Sequence, residues 1–251
     1  MSTTFAELVA VGRSLLRGIG HLIYPPTCWT CGVVMPVEQG PVCATCLPRL
    51  TKDPFATCPR CSSSVGPHLV LESGCVACMN ESFAFDGAFR MAPYEGLLRE
   101  VILRMKAWTG EELTEAIARL WATQMAARLA PVHADVLIPV PLHWTRRWRR
   151  GFNPSELLAL ALASELRIPC RTNVLWRSRR TPPQTAQPSA TARKENVKHA
   201  FAVRGNADFA DKTLLLVDDV LTTGATLSEA ARALRALKPR AIYVAVLTHG
   251  K

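Results

Sequence analysis

Residues 214–226, LLLVDDVLTTGAT, constrain the fold more than any other stretch of the chain. Leu214, Leu215, Leu216 and Val217 read as a strand buried on both faces, the habit of a parallel sheet. Two adjacent carboxylates follow, Asp218 and Asp219. Val220 and Leu221 then lead into Thr222, Thr223, Gly224, Ala225 and Thr226. Residues 228–238, SEAARALRALK, have helical periodicity and neither Gly nor Pro. The order is buried strand, acidic edge, hydroxyl-bearing turn, helix. Such a turn offers backbone N–H groups and Thr hydroxyls at the positive end of a helix, which suits a phosphate. The preceding acids suit sugar hydroxyls or a Mg²⁺-bound partner. One ligand combines these needs: a ribose 5-phosphate carrying a metal-bound pyrophosphate. An ordinary βα turn with a solvated Asp-Asp strand end is the plainer reading, but two acids followed by TTGAT are much rarer than such a turn.

The amino-terminal third is organised by cysteine. Eight of nine cysteines fall in CxxC pairs: Cys28/Cys31, Cys43/Cys46, Cys58/Cys61 and Cys75/Cys78. The pairs are separated by 11, 11 and 13 residues. A CxxC turn sets two thiolates on one side of a tight knuckle, and two knuckles complete a tetrahedral Cys₄ site, so four predict two zinc ions. The intervening Gly32, Pro36, Gly40, Pro41, Pro59, Gly66, Pro67 and Gly74 are turn formers. A segment this short builds little core, so bound metal must hold it together. A disulfide framework needs an oxidising compartment, and no secretion signal is present. The spacing lacks the CxxCxxC run of iron–sulfur proteins, and a redox CxxC does not come in fours. Sequential pairing of the knuckles, a double zinc ribbon, is preferred over a cross-brace. Cys170 stands alone as a plain thiol. His21, His68 and His133 are not at ligand spacing that improves on the cysteines.

The chain has 251 residues, 49% hydrophobic and 20% charged, a globular balance with room for one large or two modest domains. The net charge of +10 is localised, since residues 142–204 hold 13 Lys or Arg against 3 Asp or Glu. That field favours a polyanion: a phosphorylated metabolite, nucleic acid, or both. Within residues 1–24, Glu7, Arg13 and Arg17 break the apolar run well below the roughly 20 residues a membrane span needs. An amphipathic helix docking on the protein itself is expected there, without membrane insertion.

Residues 82–94 alternate like a strand or hairpin. Residues 95–105 and 111–129 read as helices joined near Gly110, with Lys106 closing the first as a C-terminal cation. Residues 135–141, DVLIPVP, form a second buried strand that ends at Pro141, and Leu142 opens the loop. The loop after it holds Arg146, Arg147, Arg149 and Arg150 around Trp148. Arginine forks grip phosphate bidentately, and Arg with Trp suits stacking on single-stranded bases; a solvated basic loop is the plain alternative. A helix is expected over 155–167 and an edge element over 170–175. Residues 177–198, with Pro182, Pro183 and Pro188, read as a mobile lid able to keep water from a reactive sugar. Ordered structure resumes over 199–203, and 241–247 form a last buried strand.

These residues resemble two known patterns. LLLVDDVLTTGAT looks like the 5-phosphoribosyl 1-pyrophosphate (PRPP) motif of type I phosphoribosyltransferases. The chain as a whole is similar to the competence protein F (ComF/GntX) family through the four CxxC pairs, Phe85-Asp86, Tyr94 with Lys106, VPLHWTRRWRRGFN, and Thr181, Gln184, Arg193, Asn196 and Phe201. The resemblance implies an α/β fold: a phosphoribosyltransferase-like parallel sheet flanked by helices over 82–251, behind a double zinc ribbon over 25–81. It implies a cytoplasmic protein of natural transformation and DNA uptake that binds PRPP with Mg²⁺. Further implied partners are single-stranded DNA and competence helicase or DNA-processing proteins. By motif, Asp218 and Asp219 face the ribose hydroxyls and the Mg²⁺ shell, and Thr222, Thr223, Gly224, Ala225 and Thr226 cradle the 5-phosphate. Pro141, Leu142 and Arg150 hold pyrophosphate. Gln184, Arg193, Asn196 and Lys106 serve the lid or acceptor, and Arg146, Arg147, Trp148 and Arg149 serve DNA. The reaction implied is displacement of pyrophosphate from PRPP by an acceptor that no motif identifies. The alternative is a DNA-binding accessory protein in which the PRPP site is regulatory or vestigial. Pro154 stands where the family often has Gln, and Gln187-Pro188 stand where its lid usually has Leu.

Overall fold

The computed structural model describes residues 25–36, 40–66, 74–179, 181–182, 189–205 and 208–250. The helix expected over 1–24 and the lid candidate Gln184 lie outside them. The chain divides into two compact units, Met1–Arg49 and Leu50–Lys251. The expected ribbon region 25–81 is therefore shared between them: the first two cysteine pairs belong to one unit, the last two to the other.

In the first unit, the Cys28–Cys31 knuckle is closed by a Thr27–Val34 bridge. The Gly32 amide donates to the Cys28 carbonyl at 2.8 Å. Gly32 takes φ +75°, where a side chain would be strained. The Cys43 knuckle runs into helix α1 (Cys46–Thr51).

The second unit begins with a short antiparallel hairpin, β1 (Ala56–Thr57) and β2 (Ser64–Val65), that carries Cys58 and Cys61 between its arms. Then come β3 (Gly87–Pro93), α2 (Gly96–Met105), α3 (Glu111–Leu129) and β4 (Val136–Pro139). Next are α4 (Trp144–Arg150), α5 (Pro154–Leu166), β5 (Leu175–Arg177) and α6 (Ala190–Val197). Last come β6 (Phe201–Val203), β7 (Thr213–Leu221), α7 (Ala225–Arg235) and β8 (Ala241–His249).

The sheet has the order β3-β8-β7-β4, and every pairing is parallel. This is why β7 and β8 carry unbroken apolar runs rather than alternation: both faces are covered. Leu214, Leu215, Leu216 and Val217 are fully buried, paired in register with Ile242, Tyr243, Val244 and Ala245. Each such side chain contributes about 1.5–3 kcal/mol. Trp121 of α3 is also fully buried and donates its indole N–H to the Val246 carbonyl at 3.2 Å. The Pro169–Arg171 backbone bonds both sides of Leu137, adding the expected short edge element beside β4.

Two stretches differ from expectation. Residues 144–150, read as loop, form a helix. Arg and Trp are adequate helix formers, and His143 acts as N-cap with its side chain accepting from the Thr145 amide. His143 is outside the usual set of capping residues, so no cap signal stands in the sequence. The span read as a lid holds regular structure among its described residues: Ser189 caps α6 by accepting from the Ala192 amide at 3.1 Å, and β5 pairs antiparallel with β6. Arg179 reaches the carbonyls of Glu195, Asn196 and Lys198 and so caps the other end of α6.

Candidate functional site

β7 runs to Leu221, so Asp218 and Asp219 lie within the strand at its carboxyl end rather than beyond it. Ligands of open parallel sheets collect outside that edge. Different helices hold the two acids. Ser155, in the first turn of α5, donates its hydroxyl to Asp218 Oδ1 at 2.7 Å. Lys106, the C-cap of α2, pairs its Nζ with Asp219 Oδ2 at 3.0 Å. Burial and the neighbouring Asp219 charge push the Asp218 carboxyl up to about 7, against the pull of Ser155 and Lys106. Burial would also raise Asp219, but Lys106 and then Arg150 outweigh it and hold that carboxyl below its usual range. Burial alone would depress Lys106; Asp219 outweighs it and keeps the ammonium charged to higher pH. One acid is thus poised near neutrality and its neighbour is firmly ionised.

The turn after β7 joins the acids to α7. Gly224 sits at the N-cap with φ +74°, and the Ala225 amide reaches back to Thr223 Oγ1 at 3.5 Å. The first amides of α7 have no intrahelical partner and face the turn. Thr222, Thr223 and Thr226 are half-buried, with Gly224 and Ala225 beneath them.

β4 delivers the third piece. Pro141 and Leu142 are half-buried and lead into α4. Asn153, the N-cap of α5, donates Nδ2 to the Val140 carbonyl at 3.1 Å, while its buried Oδ1 meets no partner among the described residues. The four arginines of α4 go separate ways. Arg146 donates to the Thr181 carbonyl at 2.7 Å, and Arg147 pairs with Glu156 at 2.6 Å. Arg149 is exposed, whereas Arg150 is half-buried: burial lowers its guanidinium, and the Asp219 charge works the other way. Trp144 and Trp148, one helical turn apart, are 70% and 86% exposed.

Of the remaining candidates, Asn196 bonds the Pro182 carbonyl at 3.1 Å, and Arg193 lies on α6 with it. Sequence reasoning missed Arg177 and Ser155. Arg177 is buried, lies over the Phe201 ring at 5.2 Å, and donates to the Thr181 hydroxyl. Burial and the nearby Arg146 charge lower it to about 10, although Asp218 pulls the other way. A buried guanidinium on a three-residue strand has no local signature.

The cysteines form two groups, Cys28/Cys31/Cys43/Cys46 and Cys58/Cys61/Cys75/Cys78, each with all four sulfurs within 4.8 Å of one another. This is the sequential pairing. Zn–S bonds of about 2.3 Å place tetrahedral sulfurs about 3.8 Å apart. The contacts Cys31–Cys43 at 3.8 Å, Cys58–Cys78 at 3.8 Å and Cys61–Cys75 at 3.5 Å fit that edge. Burial pushes the Cys46 thiol up to about 12. Four clustered thiols ionise together only around a cation, a role that zinc would fill. Among the described residues, no helix is long and apolar enough to cross a membrane.

Residues 152–251 match the phosphoribosyl transferase domain family. The DNA utilization protein YhgH of Escherichia coli K12 is 31% identical over 217 residues, covering 85% of this chain and 92% of that protein. Competence protein F of Haemophilus influenzae is 30% identical over 221 residues, covering 86% and 94%. The crystal structure of a purine phosphoribosyltransferase from Pyrococcus horikoshii is 21% identical, with a TM-score of 0.35 over 51% of this chain and 69% of that one. Because these relatives are about 30% identical over more than four-fifths of this chain and more than nine-tenths of their own length, the chain belongs to the competence protein F family.

Proposed function

We propose that this protein binds PRPP as its magnesium complex. The observation that carries the reading is the passage of β7 through Asp218 and Asp219 directly into the 222–226 turn and α7. Thr222, Thr223, Gly224, Ala225 and Thr226 take the 5-phosphate, and the two acids take the ribose hydroxyls and the water shell of Mg²⁺. Pro141, Leu142 and Arg150 take the pyrophosphate. Magnesium would neutralise the departing pyrophosphate. In the transfer itself the C1–O bond to pyrophosphate breaks with its electron pair, while an acceptor lone pair bonds C1 and the acceptor's proton goes to water. Catalysis of this kind rests on positioning and electrostatics. The loop closed by β5 and β6, with Gln184, Arg193 and Asn196, serves as the lid. PRPP with Mg²⁺ is expected to raise the melting temperature, and Asp218→Asn with Asp219→Asn to remove that shift. No shift at millimolar PRPP would sink the reading.

A second reading, single-stranded DNA binding, is favoured by one observation: Trp144 and Trp148 stand exposed together on a helix of four arginines. Aromatic stacking beside cations grips single strands without sequence preference. Substituting Arg146, Arg147, Arg149 and Arg150 by Ala should flatten the salt dependence of DNA binding. An unchanged slope would place the DNA elsewhere.

A further inference from the structure

The second cysteine group belongs to the same compact unit as the phosphate turn, and one side chain joins them. Phe83 packs against Cys58, Cys61, Cys75 and Cys78 on one side and against the main core on the other. Its ring lies on Gly224: a Cβ at that glycine would come within 2.7 Å of Phe83 Cε1. The ring is fixed from both sides of the chain. It stacks on Phe85 at 4.6 Å and 11°, and Arg60, inside the Cys58–Cys61 knuckle, lies over it at 5.7 Å. Arg60 also donates to the carbonyls of Cys78 and Glu81, closing one knuckle onto the other.

Further bonds run in parallel. The Ala84 amide donates to Ser228 Oγ in the first turn of α7 at 3.0 Å. The Cys61 thiol reaches Ser63 Oγ at 3.2 Å, and that hydroxyl lies 3.4 Å from His249 Nε2, opposite Leu221 in the sheet. Glu81 holds Lys194 of α6 at 2.6 Å.

The geometry points to Phe83 as a positioning residue through which the second zinc site sets the conformation of the phosphate turn, so that metal occupancy of that site controls PRPP affinity. The inference deepens the PRPP reading and rests on it for the ligand, but not for the coupling. A knuckle emptied of zinc, or oxidised, loses its packing against the ring. The ring then no longer fixes Gly224 in the left-handed conformation that starts α7.

The test compares wild type, Cys75→Ser and Phe83→Ala, each as the full chain, by amide hydrogen exchange and by calorimetric titration with Mg²⁺ and PRPP. Cys75→Ser removes a zinc ligand. Phe83→Ala keeps all eight knuckle cysteines, guards against a Cys75 variant that fails to fold, and should still hold two zinc ions by native mass spectrometry. Both variants are expected to speed exchange over 221–228 by about tenfold or more, with β3 and the first half of β8 keeping their protection. Both should also weaken PRPP binding by about tenfold or more. Wild-type exchange over 221–228 in fully zinc-loaded Phe83→Ala overturns the coupling. Wild type that binds no PRPP overturns the ligand reading instead, and the exchange result still decides whether the ring joins metal and turn.

Discussion

At the scale of single residues, the acid pair sets a conflict between stability and use. Asp218 holds its proton to about 7 because burial and Asp219 penalise its charge. A carboxyl raised in the folded state binds protons that the unfolded chain has released, so stability falls as pH rises from the ordinary carboxylate range through 7. Above that, the whole cost is present. Asp218→Asn removes it while keeping the shape and the contact with Ser155. The ligand-free variant should therefore melt higher than wild type at pH 8, by an amount on the order of 1–3 kcal/mol, and gain less at pH 5. Scanning calorimetry at the two pH values checks this; a variant less stable than wild type at pH 8 contradicts it. Asp219 has the opposite sign: its depressed value contributes stability above the ordinary carboxylate range, lost as pH falls through its folded value. Both acids stood out in the sequence as a dipeptide. Their division of labour did not, because it depends on Lys106, 113 positions away, and on Ser155, 63 away.

At the scale of elements, much of the body was legible. Helices expected over 95–105 and 111–129 are Gly96–Met105 and Glu111–Leu129. The buried strands read from apolar runs are β4, β7 and β8. Periodicity carries such elements because burial on fixed faces dictates them. What escaped were pieces set by individual side-chain bonds: α4 on its His143 cap, and α6, inside the stretch read as lid, on Ser189 at one end and Arg179 at the other. The junction of α2 and α3 shows how such detail reaches the site. Gly110 lies so close to the end of α2 that a Cβ would come within 2.6 Å of the Arg104 and Met105 carbonyls. Backbone cannot yield as a flexible side chain does, so Gly110→Ala should cost about 1–3 kcal/mol. It should also displace Lys106, the residue that follows Met105, from Asp219. Chemical denaturation checks the first effect, and a rise in the Asp219 carboxyl titration, followed by carbon NMR, checks the second. A variant of wild-type stability with Asp219 unmoved would mean that the junction does not hold the lysine.

At the scale of the whole molecule, the two metal groups are alike in sequence and unlike in placement. Spacing predicts two equivalent Cys₄ knuckle pairs, and the sulfur geometry of both fits a tetrahedral ion. Yet the chain parts at Arg49 and Leu50, leaving the first group in a unit whose described residues bury few large apolar side chains and the second in the unit that holds the sheet. No local pattern distinguishes them, because the difference lies in what Phe83, Arg60 and Ser63 touch. A short cysteine-held segment of this kind draws its folding free energy from its metal. Cys28→Ser is therefore expected to lower the zinc content to one ion per chain and to release the amides of residues 25–36 to fast exchange. Protection across β7 and β8 should stay at wild-type levels, since that core is filled by Leu, Val and Ile from its own strands and helices. Loss of protection in β7 alongside residues 25–36 would show that the two units fold as one, and the second group would then lose its separate claim on the phosphate turn.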